Sequence, residues 1–87
     1  MESQGLIEIY YKTWCPYSQA ALKLLDDLGV AYTAIDVTTD PAREAEMVRQ
    51  SGRTSVPEIF INDELIGGYD DLRAFVQLGA FDIPMAA

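Results

Sequence analysis

The segment Lys12-Thr13-Trp14-Cys15-Pro16-Tyr17-Ser18 holds the only cysteine among 87 residues. Before it runs an apolar, strand-like stretch, Leu6-Ile7-Glu8-Ile9-Tyr10-Tyr11, and after it Ala20, Ala21, Leu24, Leu25 and Leu28 recur on one helical face. Cys15 therefore falls at a strand-to-helix junction, at or beside the N-cap, with Pro16 suited to the first helical turn. Unpaired backbone N–H groups and the positive end of the helix dipole converge there. Both favour thiolate over thiol, and Lys12 adds a nearby cation. Such surroundings bring a cysteine pKa from about 8.5 into the range ~3.5–7.5. A lone cysteine is more often a small buried hydrophobe; the strand–Cys–Pro–helix placement is what makes Cys15 a candidate nucleophile. The C-x-x-C redox spacing is half present, because Ser18 occupies the second cysteine position.

The elements that must position Cys15 fit one domain spanning residues 1–87, long enough for a single modest core. A hydrophobic content of 49% with 23% charged residues describes an ordinary globular chain. A net charge of −8 argues against general affinity for nucleic acid or anionic membrane. The first residues lack the basic and apolar regions of a signal peptide, and no apolar run approaches a membrane span. One cysteine allows no internal disulfide, so a reducing compartment, the cytoplasm by default, is expected.

In chain order, the Pro16–Leu28 helix stops at Gly29, and residues 31–37 read as a second strand, which implies a right-handed parallel βαβ unit. Asp40-Pro41 opens a second helix, with Ala45 and Val48 expected inward and Ser51-Gly52 at its end. Glu58–Ile61, the turn pair Asn62-Asp63 and Glu64–Gly67 form a hairpin. Tyr69-Asp70-Asp71 begins a third helix, with an apolar stripe of Leu72, Phe75 and Val76 that Gly79 ends; Phe81 and Ile83 are expected to pack behind it. The order β-α-β-α-β-β-α gives an α/β fold, a mixed four-stranded sheet flanked by helices.

Three motifs now stand in order: Lys12-x-x-Cys15-Pro16-Tyr17, Arg53-Thr54-Ser55-Val56-Pro57 and Gly67-Gly68-Tyr69-Asp70-Asp71. Together they resemble the glutaredoxins, over nearly the whole chain from Ile7 to about Phe81. The resemblance implies a thioredoxin-like fold and glutathione as co-substrate. It implies a cis Val56-Pro57 bond facing Cys15, which would leave the Val56 backbone to pair with a peptide as a short strand does. It also implies a ligand map. Lys12 and Arg53 would meet the glycyl carboxylate, and the helix N-terminus at Asp70-Asp71 would take the γ-glutamyl carboxylate. Asp71, with Asp70 as alternate, would meet the ammonium group, and Tyr17 would pack beside the disulfide. Pro16, Ser55, Gly68 and Tyr69 complete the implied glutathione-binding set.

The chain departs from the family pattern at Ser18, where dithiol members carry a second cysteine, and at Tyr69, where many carry one. A C-x-x-S site occurs in monothiol-acting members, and the same serine would also arise by deliberate replacement of a cysteine. The resemblance thus implies a monothiol route through Cys15 acting on protein–glutathione and small mixed disulfides, with Ser18 donating a hydrogen bond to the thiolate but resolving nothing. The expected partners are glutathione and glutathionylated proteins, the expected state a monomer without a metal site. The alternative is a homodimeric [2Fe–2S] carrier ligated by Cys15 and glutathione, against which Pro16 speaks, since cluster-binding members usually have Gly or Ser there.

Overall fold

The computed structural model describes residues 6–77. Its elements are β1 (Ile7–Tyr11), α1 (Pro16–Leu28), β2 (Thr33–Asp36), α2 (Pro41–Ser51), β3 (Glu58–Ile61), β4 (Glu64–Gly67) and α3 (Tyr69–Gln77). The sheet runs β2-β1-β3-β4, with β1 parallel to β2 and antiparallel to β3, and β3 antiparallel to β4. This is the mixed four-stranded sheet that the element order implied. The hairpin turns at Asn62 and Asp63, whose φ angles of 52° and 68° suit the positive-φ tight turn.

Strand alternation divides the interior in two. Ile7 and Ile9 of β1 and Ile59 and Ile61 of β3 point to the side covered by α1 and α3, where they meet Ala21, Leu25 and Leu72. Tyr10 and Phe60 point to the other side, against Val37 and Met47 of the α2 layer. Burying a side chain such as Leu25 contributes about 1.5–3 kcal/mol, so each helix is held mainly by its apolar face rather than by propensity.

The structure corrects two details. In α2, Ala45 is exposed and Met47 is the fully buried residue, with Val48 half-buried beside it. The helix is rotated to seat the longer, more adaptable methionine against Tyr10 and Phe60. The second strand is shorter than residues 31–37, although the Val37 N–H still donates to the Tyr11 carbonyl at 2.9 Å. On α1, Ala21 and Leu25 are fully buried while Ala20, Leu24 and Leu28 flank them half-buried. Gly29 ends α1 at φ 71°, a conformation that costs glycine nothing. The expected stop at Gly79 and the packing of Phe81 and Ile83 lie outside the described residues.

Candidate active site

Cys15 is the N-cap of α1, and Pro16 occupies the first turn. The loop before it is tied on several sides. The Cys15 N–H donates to the Lys12 carbonyl at 3.2 Å, the Thr13 N–H to Thr38 Oγ1 at 2.9 Å, and the Gln19 amide to the Thr13 carbonyl at 2.7 Å. These bonds hold a thiol that is only 8% exposed. Its Sγ lies 3.7 Å from the Val56 carbonyl oxygen, across a cis Val56-Pro57 bond.

Burial is the largest single influence on the Cys15 thiol and pushes its pKa up. The Ser18 backbone N–H, the Ser18 hydroxyl, the Tyr17 N–H and the Lys12 charge push the other way and prevail together, leaving it below the ordinary 9.0. Ser18 can serve because its hydroxyl is amphoteric. Fully buried, it accepts the Lys12 N–H at 3.3 Å and donates toward Cys15. Lys12 contributes least, and its ammonium is already engaged, 3.1 Å from Glu44 Oε2 and over the Trp14 ring at 5.6 Å.

Beside Cys15 opens a groove of about 190 Å³ between the Val56-Pro57 turn, Tyr17 and the start of α3. Enclosed small-molecule pockets usually hold about 300–1,000 Å³, so a ligand here lies along the surface rather than inside the protein. The groove brings together Ser55, Val56, Pro57, Gly68, Tyr69, Asp70 and Asp71 with Tyr17. Lys12, Pro16, Ser18 and Arg53 are not part of its lining; the first three belong to the Cys15 end, and Arg53 stands at the rim.

At the far wall, Gly67 and Gly68 lead into α3. The Asp71 carboxylate turns back to accept the Gly68 N–H at 3.0 Å, as the third residue of a capping box does. The first helical bond runs from the Leu72 N–H to the Gly68 carbonyl, so the N–H groups of Tyr69, Asp70 and Asp71 are left without intrahelical partners. Gly67 adopts φ 126°, and a Cβ there would collide with the Asp71 carboxylate. Tyr17 and Tyr69 face each other with ring centroids 6.5 Å apart, and the Arg73 guanidinium lies 5.8 Å from the Tyr69 ring.

Arg53 donates from Nε to Glu58 Oε2 at 3.0 Å, and its Nη2 comes within 4.0 Å of Asp71 Oδ2. The bond to Glu58 leads the influences that raise the Arg53 pKa. Sequence reasoning missed Glu44 and Glu58, the acids that pair with Lys12 and Arg53. For Glu58 a signal existed: it opens a strand in phase with Phe60, which places a charged residue on a buried face. Glu44 gave none, since a glutamate in a first helical turn is ordinary.

Residues 7–66 match the family model for glutaredoxin. The chain is 43% identical to glutaredoxin 3 of Escherichia coli K12 over 76 residues, 87% of this chain and 92% of that protein. The solution structure of a Brucella melitensis glutaredoxin is 38% identical and superposes with a TM-score of 0.77, covering 93% of this chain and 88% of that one. The crystal structure of a buckwheat glutaredoxin–glutathione complex gives a TM-score of 0.79 at 29% identity, covering 91% and 74%.

Proposed function

The chain belongs to the glutaredoxin family of thioredoxin-like proteins, whose role is thiol redox chemistry, and from that premise we propose that it is a glutathione-dependent oxidoreductase that reduces mixed disulfides by a monothiol route through Cys15. The observation that carries the proposal is the Cys15 thiol itself, held at a helix N-terminus by Ser18 and facing the Val56 carbonyl beside the groove that Val56 and Pro57 line. The glutathione complex of the buckwheat relative supports the choice of co-substrate.

In the first half-reaction the Cys15 thiolate attacks the glutathionyl sulfur of a protein–glutathione disulfide. A new S–S bond forms to Cys15, the old one breaks, and the substrate leaves as thiolate and takes a proton. In the second, a glutathione thiolate attacks the glutathionyl sulfur on Cys15. Oxidised glutathione is released and the Cys15 thiolate regenerated, so each turnover consumes one free glutathione, and the other half of the oxidised glutathione is the group removed from the substrate. The low pKa matters most here, because the better-stabilised thiolate is the better leaving group. Ser18 stabilises that leaving thiolate, and with one cysteine in the chain no internal disulfide competes.

Glutathione would lie with its cysteinyl backbone along Val56 and its γ-glutamyl carboxylate at the α3 N–H groups. Asp71 would face its ammonium group, and Arg53 and Lys12 its glycyl carboxylate. Glutathionylated proteins would be the partners of a monomer in a reducing compartment. Steady-state deglutathionylation of a glutathionylated peptide tests the reading: turnover that saturates with glutathione and vanishes in Cys15→Ser supports it, and turnover that survives in Cys15→Ser sinks it. The cluster-carrier alternative would need Cys15 open to iron and to a second chain. By the family resemblance Pro16 weighs against a cluster, and absorption of anaerobically purified protein separates the two.

A further inference from the structure

We propose that Glu58 is the positioning residue for Arg53: its buried carboxylate holds the guanidinium at the groove rim in the orientation that receives a ligand carboxylate. The proposal rests on the glutathione reading above and deepens its glycyl end.

Glu58 is fully buried. A carboxyl group removed from water has to be compensated by partners, and Oε2 has two, Arg53 Nε at 3.0 Å and Ser55 Oγ at 2.9 Å. Oε1 is buried as well and has no hydrogen-bond partner among the described residues. One oxygen thus carries both contacts, and both come from the segment that leads into the Val56-Pro57 turn. Ser55 orients the carboxylate, and the carboxylate orients the arginine. A guanidinium is a planar fork of five donors, so a grip on Nε fixes the directions of both Nη groups. Nη2 reaches toward Asp71 Oδ2 at 4.0 Å and lies 3.9 Å from where a Cβ on Gly68 would stand. The fork therefore spans from the buried acid to the groove wall. With its side chain 44% exposed, Arg53 would otherwise sample many rotamers in water.

The test compares Glu58→Leu, Glu58→Gln and the double variant Glu58→Leu/Arg53→Ala, using glutathione with a glutathionylated peptide. Glu58→Leu should raise the glutathione KM roughly three- to fivefold, the size of one partly exposed charge contact, with kcat held. Glu58→Gln, which keeps an acceptor for Nε, should stay near or below the wild-type KM. The double variant should be no worse than Glu58→Leu, because an unpositioned arginine has nothing left to lose. A folded Glu58→Leu with wild-type KM overturns the proposal, as does a further equal rise in the double variant. Glu58→Met, unbranched and of similar length, replaces the leucine variant if that one does not fold. The Arg53 Nε–H resonance separates this inference from the glutathione reading. Slow exchange in wild type and Glu58→Gln but not in Glu58→Leu supports the positioning role even if glutathione proves not to be the co-substrate, and an unchanged resonance in Glu58→Leu overturns it.

Discussion

Lys12 Nζ lies 3.1 Å from Glu44 Oε2, so the cation nearest Cys15 in sequence is paired with an acid of α2 before any ligand arrives. An anionic ligand must share or displace that partner. Glu44→Gln should therefore lower the glutathione KM, by about fivefold at most, since a partly exposed pair is worth roughly 1 kcal/mol. The gain should fade at high ionic strength, where exposed charges are screened. Steady-state kinetics at low and high salt check both; a KM that does not move shows that Lys12 takes no part in binding.

The Cys15 pKa is lowered in the folded protein, and that fixes the sign of two pH effects. Between the folded value and the ordinary 9.0, the unfolded chain holds a proton on this sulfur that the folded chain has lost. Stability therefore rises with pH across that window. The contribution is complete above the unfolded pKa and is lost as pH falls through the folded one. Denaturant titrations should show wild type gaining on Cys15→Ser as pH rises through the window. Ser18→Ala removes one of the groups that lower the pKa, so the acid limb of its rate profile should move to higher pH. The variant also loses the acceptor for the Lys12 N–H, at a cost of about 1 kcal/mol. Thiolate absorbance against pH measures the shift directly.

Arg53→Ala strips Glu58 of its ionic partner and leaves Ser55, among the described residues, as the remaining donor to its buried carboxylate. Breaking a buried pair from one side costs about 3–5 kcal/mol, and the solvent exposure of Arg53 places this case near the lower figure. In a domain this small that corresponds to a melting-temperature drop on the order of 10–20 °C. Adding Glu58→Gln should recover most of it, because the stranded charge is gone. A calorimetric comparison of the two variants decides; equal losses would mean the charge is not the cause.

Ser18→Cys places a second thiol at a fully buried position on the same helical turn as Cys15. Under mild oxidation the variant should form the internal disulfide, seen by mass as the loss of two hydrogens. It should gain activity toward protein disulfides that lack glutathione, while turnover on glutathionylated substrates stays level or falls. Accumulation of glutathione adducts alone would show that the two side chains do not meet.

What the sequence disclosed about this site was what local rules determine. A strand, a cysteine, a proline and an apolar helical face lie within one short stretch, so the Cys15 N-cap follows from neighbouring residues alone. The Asp71 turn back to Gly68 is equally local, yet the sequence is read only for a contact of Asp71 with a ligand's ammonium group, and the structure supplies the cap. The pairings of Lys12 with Glu44 and of Arg53 with Asp71 join residues far apart in the chain, and only the packing of α2 and α3 on the sheet brings them together. The phase of α2 escaped for a related reason. Ala45 and Met47 both fit a weak periodicity, and the space beneath Tyr10 and Phe60 decided between them.

The sheet has two ends, β2 and β4, and each meets the surroundings with features that discourage another strand from joining. Both strands are only four residues long. Asp36 closes β2 with its carboxylate folded onto Thr38, and Glu64 opens β4, whose pairing with β3 slips between Ile59 and Phe60. Short, charged and irregular edges are what keep β-sheets from growing chain to chain. Edges built this way leave a passing chain little free backbone to add to as a further strand.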